Sequence, residues 1–232
     1  MANYFIVGAS SGIGKALAHR LADSGHQVYG TFNTTEIDSE HPNIRYCRLN
    51  VLDEQLSFDF LPDSLAGVVY CPGSISLRPF ERIKPADFSN DYQLQVLGLI
   101  KTLQGVVSLL KSTENAAIVL FSTVAVQTGL PFHTQVAASK GAIEGLTKAL
   151  AAEYAPKIRV NCIAPSLTDT PLAASLVNSD QKREANAQRH PLKRIGQAED
   201  LANMAEFLLS DKASWITGQI LHVDGGYSTL KV

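Results

Sequence analysis

The apolar run Tyr4-Phe5-Ile6-Val7 leads directly into Gly8-Ala9-Ser10-Ser11-Gly12-Ile13-Gly14, and an amphipathic helical period follows over residues 13–24. A strand, a glycine turn and a helix in that order restrict the fold more than any other feature. Such a turn aims the first amide groups of the helix, and the positive end of its dipole, at whatever the loop encloses. Gly8 and Gly12 allow the turn and a close backbone approach, Gly14 lets the helix pack near the strand, and Ser10, Ser11 and Ile13 complete the loop. The expected occupant is the pyrophosphate of a dinucleotide.

The rest of the chain repeats the same alternation. Residues 27–31, 44–49, 67–70, 117–121, 159–164 and 219–223 read as strands, and 88–110, 135–154 and 198–209 as helices with one apolar face. This spacing predicts an α/β protein with a doubly wound parallel sheet, covered on both faces, in a single domain over residues 1–232. Residues 54–66 are too short and polar for a full helix. The long segment 171–194 is polar and rich in Asn, Gln and Arg, and its place after a strand makes it the expected substrate lid.

Composition narrows the function classes. A formal charge of −2 with 18% charged residues gives no basic excess for nucleic acid or anionic lipid. Polar residues interrupt every apolar stretch short of the roughly 20 residues of a spanning helix, so no membrane is expected. The start has neither a basic region nor a long apolar run, so no signal peptide is expected. Cys47, Cys71 and Cys162 lie far apart without a C-x-x-C pair, which points away from zinc or a disulfide framework and towards the cytoplasm. His19, His26, His41, His190 and His222 are scattered, form no metal-binding pattern, and read as surface or ordinary packed residues.

The loop resembles the G-x-x-x-G-I-G of short-chain dehydrogenases and reductases, and further matches follow in order over nearly the whole chain. Gly73 ends a strand where that family has N-N-A-G, and Ser139-Lys140 ends in the lysine of its active site. Arg159-Val160-Asn161-Cys162-Ile163-Ala164-Pro165 resembles R-V-N-x-I-x-P, with Ser166 replacing the usual glycine. The stretches Pro191 to Gly196, Ile216 to Gln219 and Val223 to Gly226 complete the likeness. It implies a Rossmann fold and a nicotinamide cofactor. It also implies adenine contacts at Asn50 and Val51 and nicotinamide contacts at Pro165, Thr168 and Thr170. Related proteins pair their long helices, so a homodimer or homotetramer is expected.

A carboxylate at the end of the second strand would select an unphosphorylated ribose. That end is Phe32, followed by Asn33, Thr34 and Thr35, which can donate hydrogen bonds to a phosphate, and then Glu36, which can swing back towards the ribose. NADP(H) is favoured over NAD(H), although no arginine or lysine adjoins these residues in sequence.

The resemblance breaks at the proton donor. The family places a tyrosine four residues before its lysine, on one helix face, where the lysine lowers the phenol pKa and holds the nicotinamide ribose. Here Val136 occupies that position, and no tyrosine lies between Tyr92 and Tyr154. Thr123 stands where serine is expected, Gln95 where asparagine is expected, and Lys140 is unchanged. His133, three residues before Val136, is the replacement acid considered, and Tyr92 a weaker one. Losing a general acid costs a factor of about 100–10,000, whereas orienting reactants contributes roughly 7–11 kcal/mol, so turnover can survive.

Two main functions follow. The first is an NAD(P)-dependent oxidoreductase acting on a small carbonyl or alcohol, with Thr123, Lys140 and His133 as its catalytic set. The alternative is a catalytically degenerate dinucleotide-binding protein, a sensor or partner subunit. A third keeps hydride transfer for a substrate that needs no tyrosine.

Overall fold

The computed structural model describes residues 1–34, 37 and 41–231. The first six strands are β1 (Asn3–Val7), β2 (Gln27–Phe32), β3 (Ile44–Arg48), β4 (Gly67–Tyr70), β5 (Ala116–Phe121) and β6 (Ile158–Pro165). A separate two-residue pair, β7 (Thr168–Asp169) and β8 (Gly196–Gln197), brackets the polar insertion, and β9 (Ile220–Val223) closes the main sheet. The main sheet is parallel throughout, in the order β3-β2-β1-β4-β5-β6-β9. The strand order reverses between β1 and β4, and a crevice opens beyond the carboxyl ends of strands at such a point.

Burial follows from this arrangement. Every residue of β4 and β5 is buried, because helices cover both faces of a parallel sheet. Helices α1 (Gly12–Asp23) and, near the end of the chain, α7 (Ala198–Leu209) pack Leu17, Leu21, Leu201 and Leu208 on one face. The other face is covered by α3 (Gly98–Lys111) and α5 (Thr134–Tyr154), with α2 (Pro85–Tyr92) and the short α4 (Ala125–Thr128) packed against α5; Leu99, Leu103, Val106 and Ile143 are among its buried residues. Between β3 and β4 there is no helix. Phe58 and Phe60 cover Phe5 there, with ring centroids 6.0 and 5.9 Å away.

Helices α2 and α3 form one continuous run, Pro85–Lys111, through a π-helical turn at Gln93–Leu97. The Tyr70 hydroxyl donates to the Leu94 carbonyl at 2.6 Å inside that turn, and the missing side chain of Gly98 leaves the room: a Cβ there would lie 2.6 Å from the same hydroxyl. This helix corrects one expectation. Its 27 residues include an 18-residue stretch of mean hydropathy 1.3, long and apolar enough to cross a membrane. Its buried positions Val96, Leu99, Leu103, Val106 and Leu110 instead pack in the core on the sheet.

The insertion 171–194 holds a 3₁₀ segment, Pro171–Leu176, and helix α6 (Asp180–Gln188). Ser179 caps α6 by accepting from the Lys182 amide at 3.3 Å, and Asp180 sits in its first turn. Arg183 joins α6 to Asp169 of β7 through contacts of 2.5 and 3.2 Å, and holds the Asp169 carboxyl below its ordinary pKa.

Candidate active site

A cavity of about 660 Å³ lies over the carboxyl ends of the central strands, beginning at the glycine loop. Gly8 and Gly12 adopt φ of +76° and +51°, in the left-handed region that other residues rarely enter. A Cβ on Gly14 would stand 2.2 Å from the Gly8 carbonyl oxygen, so only glycine lets α1 begin so close to β1. The Gly8 amide donates to Thr31 Oγ1 at 3.1 Å and the Ala9 amide to the Thr31 carbonyl at 2.9 Å, fixing the loop on β2. Helix α1 has neither a side-chain cap nor an acidic residue in its first turn. Its amide groups and dipole fit a phosphate group, and Ser10, Ser11, Gly12, Ile13 and Gly14 all line the cavity beside it.

Beyond the loop, Asn33, Thr34, Asn50 and Val51 line the end over β2 and β3. The Asn50 amide is engaged in its own turn, donating to Asp53 at 2.6 Å and accepting from the Leu52 amide at 3.2 Å. Thr35 and Glu36 lie outside the described residues. Sequence adjacency misses Arg48. It pairs with Phe32 across β2 and β3, and its Nε donates to the Asn33 carbonyl at 3.3 Å, so a guanidinium stands beside the polar turn after all.

At the other end, Gly73, Thr123, Val136, Lys140, Pro165, Thr168 and Thr170 line the cavity together with His133. Lys140 Nζ donates to the Phe121 carbonyl at 2.9 Å. Burial lowers its pKa to about 8, against the opposing pull of Cys162, Asp91 and Cys71. Val136 sits one turn before it, buried. Thr123 Oγ1 accepts from the Ala125 amide at 3.3 Å, which leaves its O–H to donate, while Ser122 turns to Glu144 at 2.6 Å. His133 Nδ1 meets the Pro131 carbonyl at 2.7 Å. Tyr92 is 41% exposed and lies off the cavity wall.

Gln95 is fully buried. Its amide nitrogen donates to both oxygens of Asp91 at 2.8 Å, and Asp91 also accepts from Ser139 Oγ at 2.6 Å and from Ser74 Oγ. The Gln95 carbonyl oxygen has no partner, and a Cβ on Gly73 would sit 3.4 Å from it and 3.8 Å from Lys140 Nζ. The cavity thus offers an uncapped helix end, a buried ammonium and a buried orphan acceptor, a set that fits a phosphorylated cofactor with ribose hydroxyls. Among the described residues no group of His, Cys, Asp or Glu could hold a metal ion.

The enoyl-(acyl carrier protein) reductase family model matches residues 50–228. The chain is 32% identical over 244 positions to the 3-oxoacyl-(acyl carrier protein) reductase FabG of Thermotoga maritima, with 95% of each chain covered. It belongs to the short-chain dehydrogenase/reductase family. It is also 30% identical to L-xylulose reductase of Bos taurus, over 96% of this chain and 94% of that one. A solved structure of ElxO with NADP bound superposes with a TM-score of 0.90 at 27% identity, covering 99% of this chain and all of that one.

Two site features of this short-chain dehydrogenase/reductase escape a linear reading. His190, expected to be a surface or ordinary packed residue, lines the cavity with its ring nitrogen Nε2 2.9 Å from Ser166 Oγ. Arg189 donates to the Tyr227 hydroxyl at 2.6 Å and lies over its ring, and both residues reach the cavity wall. The only sequence signal for either was Ser166 in place of glycine, since the partners lie 24 and 38 residues apart.

Proposed function

We propose that this chain is an NADP(H)-dependent oxidoreductase that interconverts a carbonyl and an alcohol on a small-molecule substrate, with Val136 replacing the proton-donating tyrosine. The observation that carries the reading is one continuous cavity joining the loop 8–14 to Lys140 and Thr123. The nicotinamide, when bound, supplies or accepts the hydride. Loop amides hold the pyrophosphate, and Lys140 holds ribose hydroxyls. Thr123 donates its O–H to the substrate oxygen, which orients the carbonyl and stabilises developing negative charge. Apolar lid residues Leu172, Ala173 and Leu176 line the same cavity and exclude water when the segment 171–194 closes.

The reading is tested by titrating the purified protein with NADPH and NADH by cofactor fluorescence, then following cofactor oxidation with a carbonyl panel. Binding without turnover on any carbonyl would favour the degenerate alternative, which Val136 supports. Lack of binding would overturn both.

Arg48 supports the choice of NADP(H), because a guanidinium pairs well with a ribose 2′-phosphate. Arg48→Ala is expected to weaken NADPH binding about tenfold and to leave NADH binding nearly unchanged; equal loss for both would exclude the contact. Lys140 gives a pH signature. Its ammonium is charged below about 8 and neutral above. NADPH affinity should therefore fall as pH rises from 7 to 9, by at most about tenfold per unit above the transition, and Lys140→Met should remove this step.

The proposal includes a homodimer or homotetramer built on α5. A Cβ on Gly145 would meet nothing within 4 Å, so packing inside the subunit gives no reason for a glycine there, whereas a second helix approaching closely does. A cytoplasmic location is part of the reading and is supported by three free thiols, Cys47, Cys71 and Cys162.

A further inference from the structure

We infer that Ser166 and His190 form a proton relay that takes over the task left by the absent tyrosine; the inference rests on the oxidoreductase reading above. Ser166 follows Pro165 at the end of β6, and the Pro165 carbonyl accepts from the Val124 amide at 3.1 Å. Ser166 and Thr123 therefore each stand one residue from a bonded pair on neighbouring segments, at the same mouth of the sheet. Both line the large cavity.

The chemistry lies in what each atom can do. His190 Nδ1 is 2.8 Å from the Asn186 carbonyl, which can only accept, so Nδ1 carries a hydrogen in both protonation states. Nε2 is then the atom that gains or loses a proton, and it faces Ser166 Oγ at 2.9 Å. A hydroxyl both donates and accepts. The neutral ring accepts from Ser166, the imidazolium donates to it, and neither contact has to break when the proton moves. The ring is 3% exposed and packs on Tyr227 with centroids 5.2 Å apart, which fixes its orientation.

His190 also borders a second cavity of about 120 Å³, lined by Arg194, Asp200 and Asp224. That volume admits water, a source of protons for the ring, and Ser166 and His190 border both cavities. His133 Nδ1 also meets a carbonyl, but among the described residues no hydrogen bond joins its ring to a hydroxyl.

In the reductive direction a hydride from a reduced nicotinamide, which is left oxidised, adds to the carbonyl carbon, and the C=O π pair moves to oxygen as an alkoxide. The Ser166 O–H bond breaks and its proton goes to the alkoxide, while the Nε2–H bond of the His190 imidazolium breaks and its proton goes to Ser166 oxygen. Neutral His190 regains a proton from solvent. Alcohol oxidation runs the same transfers in reverse. Ser166 touches the substrate oxygen and is the catalytic residue; His190 acts through it.

The test uses the full chain and the variants Ser166→Ala, Ser166→Thr and His190→Gln, with NADPH and a panel of diacetyl, acetoacetyl-coenzyme A and L-xylulose. Nitrogen NMR of the wild-type imidazoles should show His190 protonated at Nδ1 when neutral, a readout independent of turnover. Ser166→Ala and His190→Gln should lower kcat about 100- to 10,000-fold, with KM and NADPH affinity within about twofold, and Ser166→Thr, which keeps the hydroxyl, should retain most of the rate. Wild-type turnover that is undiminished in Ser166→Ala and His190→Gln would overturn the relay and leave the oxidoreductase reading standing, as would an Nε2–H tautomer. Tight NADPH binding by a wild type that reduces none of the panel would overturn the oxidoreductase reading, and the relay with it.

Discussion

In a Ser166→Ala background, Val136→Tyr should raise kcat for carbonyl reduction about 100- to 10,000-fold, the range a positioned general acid supplies where none is present. Val136 and Lys140 are one turn apart on α5, so a phenol at 136 would face the same side as the ammonium. The lysine charge would lower the phenol pKa and make its proton easier to give up. Val136 borders a cavity of about 660 Å³, which has room for the larger ring. NADPH affinity should change little, because the loop 8–14 is untouched. Steady-state rates with the carbonyl panel, beside a cofactor titration, read both quantities. A rate at or below that of Ser166→Ala alone, with NADPH binding preserved, would show that position 136 does not border the reacting oxygen.

Gly14→Ala should have the largest effect on stability. Its Cβ would need to sit 2.2 Å from the Gly8 carbonyl oxygen and 3.2 Å from Ala9 Cα, and both neighbours are backbone that cannot rotate away. Helix α1 would have to move off β1. Overpacking of this kind costs typically about 1–3 kcal/mol, occasionally more, and the clash with main-chain atoms puts this site at the upper end. The same displacement turns the first amides of α1 away from the pyrophosphate, so NADPH affinity should fall by about two orders of magnitude, the equivalent of roughly 2.7 kcal/mol. Thermal unfolding and cofactor titration report the two losses separately. Normal values in both would mean that α1 shifts without consequence and that the loop does not hold the phosphates.

The parts of the fold that were legible in the sequence are those set by local periodicity. β1, the glycine loop and α1 are encoded in one contiguous stretch, and β4 and β5 announce themselves as short runs buried on both faces. Helix α6 was harder to read because its signal is a cap and good helix formers without an apolar face. The helix over 88–110 is legible, but its full apolar length is hidden because polar residues such as Thr102 break the stretch in sequence, whereas in the helix the Thr102 hydroxyl is satisfied by the Gly98 carbonyl at 2.8 Å.

Site residues divide in the same way. Thr123, His133, Val136 and Lys140 follow from counting along one stretch of chain. Arg48 reaches the polar turn only through the β2 and β3 register, and Ser166 meets His190 only because the chain returns after α6. Asp91 has no motif at all. Its role as a shared acceptor for Ser74, Gln95 and Ser139 emerges when three segments converge.

That convergence gives the cavity two unlike sides. On one, a buried carboxylate ties the loop after β4, the π turn and α5 together, and parting any of them would strand polar groups away from water. On the other, the insertion is anchored to β7 by an ion pair whose members are 44% and 28% exposed, a link that water and salt readily replace. Opening at α6 is therefore expected to cost less than parting the segments held by Asp91. On the proposed reading, in which 171–194 is the substrate lid, substrate and product pass α6 while the face carrying Gln95 and Lys140 holds still.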